Sequence, residues 1–124
     1  MQTPWNASYS DGSANSYAFS HTDPGQRAQF VYDPVRPEES SSGAYSGGDP
    51  ARAALTADDV AQLWEILDAL EADTAAHVEA RAKGTTAISW STPEGDARFI
   101  VKRGAAEALE AFGLSLRKRA AEQP

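Results

Sequence analysis

Residues 4–33 read P-W-N-A-S-Y-S-D-G-S-A-N-S-Y-A-F-S-H-T-D-P-G-Q-R-A-Q-F-V-Y-D, and the period of this stretch decides the fold. Trp5, Ala7 and Tyr9 fall on one face of an extended chain, with Asn6, Ser8 and Ser10 on the other. Tyr17, Phe19 and His21 repeat the pattern against Ser16, Ala18 and Ser20. Ala28, Phe30 and Tyr32 repeat it a third time, with Gln29 opposite. A period of two is the signature of a strand with one buried face. Asp11-Gly12 and Asp23-Pro24-Gly25-Gln26 supply turn chemistry between the three runs. The stretch therefore predicts a three-stranded antiparallel meander whose aromatic face is core.

Pro34 and Pro37 end the third strand, because neither can donate to a ladder. Residues 38–50 follow as a serine- and glycine-rich loop, with a short edge strand expected around Ala44–Ser46. Within it, Ser40 to Gly48 holds four serines and three glycines around a single tyrosine and has no charge. Such a segment is too polar and too flexible to form core, and loops on a packed scaffold commonly carry function.

The second half changes period. Thr56 is a helix N-cap with Asp59 at the third helical position. Val60, Leu63, Trp64, Leu67 and Leu70, with the adjacent Ile66, form an apolar stripe. Asp73-Thr74 offers a stop, with a strand over His77–Arg81 beyond it. The alanine-rich composition and Gly84 as a C-cap favour continuation to Ala82 instead. Thr86–Thr92 and Ala97–Arg103 read as a hairpin around Pro93-Glu94-Gly95-Asp96, with Ile88, Trp90, Phe99 and Val101 facing inward. Gly104 ends it, and a last helix runs from about Ala105 to Ala121 with Leu109, Phe112 and Leu116 on one side.

The predicted fold is a single α+β domain over 1–124. One antiparallel sheet, a meander plus a hairpin, is packed on one face by two helices, in the order β-β-β-(β)-α-β-β-α. With 124 residues, 41% hydrophobic and 23% charged, the chain is long enough for one core. It has no cysteine, which excludes disulfides and thiolate metal sites. The first residues lack the basic and apolar regions of a signal peptide, and no apolar run is long enough to span a bilayer, so a cytoplasmic location is expected.

A net charge of −7 disfavours nucleic acid as partner. Its distribution is uneven. Seven acidic residues and no Lys or Arg lie between Asp58 and Glu79, while Arg98, Lys102, Arg103, Arg117, Lys118 and Arg119 make the C-terminal part basic. A solvated acidic helix and a basic helix C-terminus explain most of this. Association through complementary faces is the sharper alternative.

No catalytic motif stands out. Gly43-Ala44-Tyr45-Ser46-Gly47 displaces the serine by one place from a nucleophile elbow. Asp73 and His77 share a helical spacing, but without a second histidine at matching distance no metal or other cofactor is expected. The reading is a non-enzymatic, acidic protein-binding or regulatory module, with Ser42, Gly43, Tyr45, Ser46 and Gly47 as candidate contact residues and a homodimer compatible with it. The alternatives are an inhibitor or immunity-type protein that inserts the loop into an enzyme, and a small hydrolase using Ser46 with His21 or His77 as base.

Overall fold

The computed structural model describes residues 3–12, 15–34 and 49–122. The meander forms as its period requires. Its strands are β1 (Trp5–Ser10), β2 (Ser16–His21) and β3 (Gln29–Asp33), paired antiparallel in sequence order. The Asp23 turn closes as its chemistry predicts: Gly25 N donates to the Asp23 carboxylate at 2.9 Å and Gln26 N to the Asp23 carbonyl at 2.9 Å. The first turn is longer than Asp11-Gly12 alone suggests. Asp11 instead accepts from the main-chain N of Asn15 at 3.0 Å, so its carboxylate bridges the whole connection.

A fourth strand, β4 (Ala51–Ala54), pairs with β3, at the place in the strand order where an edge strand was expected but later in the chain than Ala44–Ser46. Alanine has little intrinsic preference for strands; the open edge of β3 supplies the partner that overrides propensity. The expected edge strand at Ala44–Ser46 and the loop residues Ser42–Gly47 lie outside the described residues.

Helix α1 (Ala57–Ala72) starts with a complete capping box. Asp59 N donates to Thr56 Oγ1 at 3.0 Å, and Thr56 N donates to the Asp59 carboxylate at 2.8 Å. The expected continuation to Ala82 is wrong. Asp73 ends the helix, a 3₁₀ turn covers Thr74–Ala76, and His77–Val78 form a short strand, β5. Two contacts outweigh alanine propensity here. The His77 ring Nε2–H donates to Leu70 O at 2.9 Å and satisfies a carbonyl of the last turn. β5 then pairs with the hairpin strand β7. Gly84, read as the helix C-cap, instead has φ +84° in the turn before the hairpin.

The hairpin is β6 (Thr86–Thr92) and β7 (Gly95–Val101), joined tightly through Pro93 and Glu94. β7 starts two residues earlier than expected, because Thr92 already pairs with Gly95. Helix α2 (Glu107–Glu122) closes the chain. Among the described residues the sheet has seven strands in the order β4-β3-β2-β1-β6-β7-β5. The hairpin therefore docks against β1, the first strand, after α1 has crossed the sheet.

Both helices cover the inner face. Phe19, Phe30, Tyr32, Leu63, Leu67, Ile88, Leu109 and Leu116 are fully buried there. Under α1 the rings stand edge to face: Trp5 on Trp64 at 5.4 Å, Trp64 on Trp90 at 5.5 Å, and Trp90 on Phe99 at 5.6 Å. Trp5 Nε1 and Trp64 Nε1 are buried without a hydrogen-bond partner. Edge-to-face stacking, which sets a positive ring edge against a negative ring face, is the stabilisation these indoles retain. Phe99, expected in the core, is only partly buried and sits at the rim, stacked on His77 at 4.6 Å.

The helices are tied to each other by charge. Arg119 donates from Nη2 to Asp59 Oδ1 at 3.0 Å and from Nη1 to Oδ2 at 2.6 Å, a bidentate pair. These bonds, together with those from Thr56, hold the buried Asp59 carboxyl down at about 2 against the opposing effect of burial. In the unfolded chain the same group titrates near 3.9. The folded value is depressed, so the stabilisation is complete above about pH 5 and is lost as pH falls through 4 toward 2. With allowance for solvent on the Arg119 side, its size is about 1–2 kcal/mol. Urea unfolding of wild type and Asp59→Asn should show that gap at pH 7 and a shrinking gap below pH 5. A gap independent of pH would show that the pair contributes nothing through ionisation.

Candidate functional site

A groove of about 590 Å³ lies between the edge strand β4 and α2. One wall is Asp49, Pro50, Ala51 and Arg52; the other is Leu114, Arg117, Lys118, Ala120 and Ala121. Leu114 is 47% exposed, the most exposed large apolar side chain of the described residues. It projects from the outer side of a helix whose inner side is fixed by Leu109, Phe112 and Leu116. Arg52 and Lys118 are also exposed. β4 ends the sheet, so no described strand pairs with its outer edge.

The groove has a rigid base. Arg117 Nη1 donates to Tyr17 Oη at 3.2 Å, and its guanidinium lies 3.9 Å from the centre of the Tyr32 ring. Cation–π contact and hydrogen bond together fix this cation in place. Tyr17 stacks on Tyr9 with centroids 4.4 Å apart, and Tyr9 Oη donates to Leu109 O at 3.4 Å. Burial raises the Tyr17 hydroxyl above the ordinary phenol value, partly offset by Arg117; burial and the neighbouring Tyr17 raise Tyr9 further. Both phenols therefore stay protonated near neutrality, which suits structural hydrogen bonds rather than proton transfer.

The two histidines are spent on the fold. His21 Nε2–H donates to Gln26 O at 2.7 Å, and His77 caps α1 as described above. His77 and Asp73 do not form the helical pair that the sequence suggested, since the helix has ended between them. Among the described residues no three His, Asp or Glu side chains converge as metal ligands. The candidate residues Ser42, Gly43, Tyr45, Ser46 and Gly47 precede Asp49 in the chain and lie outside the described residues.

A second surface is the open face of the sheet. Its three central strands present Ser16, Ala18 and Ser20 from β2, Asn6, Ser8 and Ser10 from β1, and Ala87, Ser89 and Ser91 from β6. None is charged, and Ser8 and Ser89 share a hydrogen bond between hydroxyls at 3.2 Å. Val31 and Ile100 point outward but lie on β3 and β7, on opposite sides of those central strands. Ile100 instead pairs with Val78 of β5, a neighbour hidden from a reading that made residue 78 helical.

The groove itself was missed at the level of sequence. Its only prior signal was the basic run Arg117-Lys118-Arg119, read there as matching the helix dipole. In the fold these three diverge. Arg119 turns to α1, Arg117 to the tyrosines, and Lys118 stays in solvent. No helix among the described residues is long and apolar enough to cross a membrane. Comparison with protein-family models, with characterised proteins and with solved structures gave no match.

Proposed function

We propose that this protein is a non-enzymatic protein-binding module whose contact surface is the β4–α2 groove. The observation that carries the reading is Leu114, an exposed leucine beside Arg117 and Lys118, facing a terminal strand. An apolar anchor point with flanking charge on rigid elements is what a recognition surface needs. The Tyr9 and Tyr17 phenols and the two imidazoles are held in structural hydrogen bonds, which supports binding over a hydrolase reading. The Ser42–Gly47 segment with Tyr45 runs in sequence into Asp49 and Pro50 of the groove, and belongs to the same proposal as a second contact.

Site-specific photocrosslinking tests it. A benzophenone side chain at position 114 should form adducts with a partner in extracts of the source cell. The same group at Ala108, exposed about 1.7 turns earlier on α2, should not. Tyr45→Ala should weaken capture while leaving the melting temperature nearly unchanged. No adduct at 114, or equal adducts at 114 and 108, would remove the groove as the contact surface.

A further inference from the structure

We propose that the outer edge of β7 is a self-association surface, where two copies of this chain pair antiparallel about Ala97 and continue one sheet across both molecules. This edge lies across the sheet from the groove, and the two readings are independent.

β5 covers only one end of β7. Its His77 and Val78 pair with Val101 and Ile100, and the chain bends at Glu79–Ala80. Among the described residues no strand pairs with the outer side of Gly95–Phe99. The chain is described throughout from Asp49 to Glu122, so no undescribed residue adjoins β5, β6 or β7 in sequence. Residues 35–48 join β3 to β4, which lie at the opposite edge.

The phase of the main chain selects which residues can pair. Lys102 N donates to Ala76 O at 2.8 Å, on the side of β7 away from β6. In an antiparallel ladder successive residues direct their N–H and C=O groups to alternate sides. Ile100, Arg98 and Asp96 therefore direct theirs away from β6, and Ile100 is taken by Val78. Asp96 and Arg98 remain. A two-fold axis at Ala97 sets Asp96 opposite Arg98 of the other copy, and Arg98 opposite its Asp96. Both are then pairs that exchange their N–H···O bonds.

Charge selects the same register. Asp96 and Arg98 are exposed, share the open face of the sheet, and make no ion pair with the described residues. A lone charge on an edge discourages pairing. Here the two charges are opposite in sign with one residue between them, so each meets its complement across the axis, and opposite charges at directly facing positions stabilise a ladder. A register centred on Asp96 or on Arg98 would set like charges face to face. Ala97 meets its own copy where Cα atoms approach to about 4.5 Å, a spacing that suits a small side chain. Gly95 has no side chain to meet the end of β5 on the other copy.

A contact this short falls below the roughly 1,200 Å² of a stable interface, so the dimer is reversible and forms at high protein concentration. It leaves the β4–α2 groove of each copy uncovered, at the two far ends of the joined sheet.

Sedimentation velocity of the whole protein over a concentration series, up to millimolar, tests this. Wild type should pass reversibly from monomer to dimer. Asp96→Arg and Arg98→Asp should each weaken the dimer by about tenfold or more, because both symmetric pairs change from opposite to like charge, with the melting temperature unchanged. An equimolar mixture of the two variants should restore it, since an edge with two cations then meets an edge with two carboxylates. Wild type that stays monomeric throughout would overturn the inference. So would a dimer that persists equally in both single variants, or a mixture that associates no better than either variant alone.

Discussion

Phe19→Ala should cost about 3–5 kcal/mol of stability, the range for truncating a large buried aromatic side chain. Phe19 is 1% exposed and joins three parts of the molecule. Its ring meets Phe30 on β3 at 5.4 Å, Tyr9 on β1 at 6.3 Å, and Phe112 on α2 at 6.1 Å. Truncation opens a cavity between the sheet and α2 that neither layer can collapse into without moving the other. For a chain of this size that corresponds to a fall in melting temperature of roughly 10–20 °C. Thermal and urea unfolding measure it. Phe99→Ala is the internal comparison and should cost clearly less, since that ring is at the rim. A loss below about 1 kcal/mol for Phe19, as at surface sites, would mean that α2 does not cover β2.

Gly113→Ala should destabilise by about 1–3 kcal/mol through overpacking, although alanine in place of glycine inside a helix ordinarily gains about 1 kcal/mol. The clash decides the sign. A Cβ at position 113 would fall on the Tyr9 hydroxyl and lie 3.0 Å from two carbons of the Tyr17 ring. The two phenols are stacked within 6° of parallel and buried, so they cannot swing aside. Tyr9→Phe separates the causes. It removes the oxygen that Cβ would strike and gives up one long hydrogen bond to Leu109 O. The double variant should therefore be more stable than Gly113→Ala alone, a coupling of the kind that double-mutant cycles isolate. A neutral or stabilised Gly113→Ala would show that α2 lies farther from β1 and β2 than 3–4 Å packing requires.

The two substitutions probe different kinds of information. That Phe19 faces inward follows from sequence, because alternation in 4–33 assigns each side chain to a face and aromatic residues cannot all be left in water. The same logic located Trp64 and Leu67 on the inner stripe of α1 and Ile88 and Trp90 on the inner face of β6. The capping box was also legible, since Thr56 and Asp59 act through backbone groups three residues apart. In contrast, nothing local to Gly113 announces that two tyrosines a hundred residues away need its missing side chain.

What the sequence by itself determined is therefore the set of faces, the local turns and the class of fold. These depend on contacts within a few residues, where period, caps and turn chemistry act directly. What only the tertiary structure decided is where elements meet across long separations. β4 falls at Ala51–Ala54 because that segment reaches the open edge of β3, α1 stops at Ala72 because His77 caps it and β5 finds β7, and the hairpin lies against β1 rather than β3. The candidate groove belongs to this second group. Arg52 and Lys118 are 66 positions apart and become one charged rim only when β4 ends the sheet and α2 packs beside it. Pairing energy at a strand edge and shape fit between layers outweigh local propensity, and neither is written in any short window of the chain.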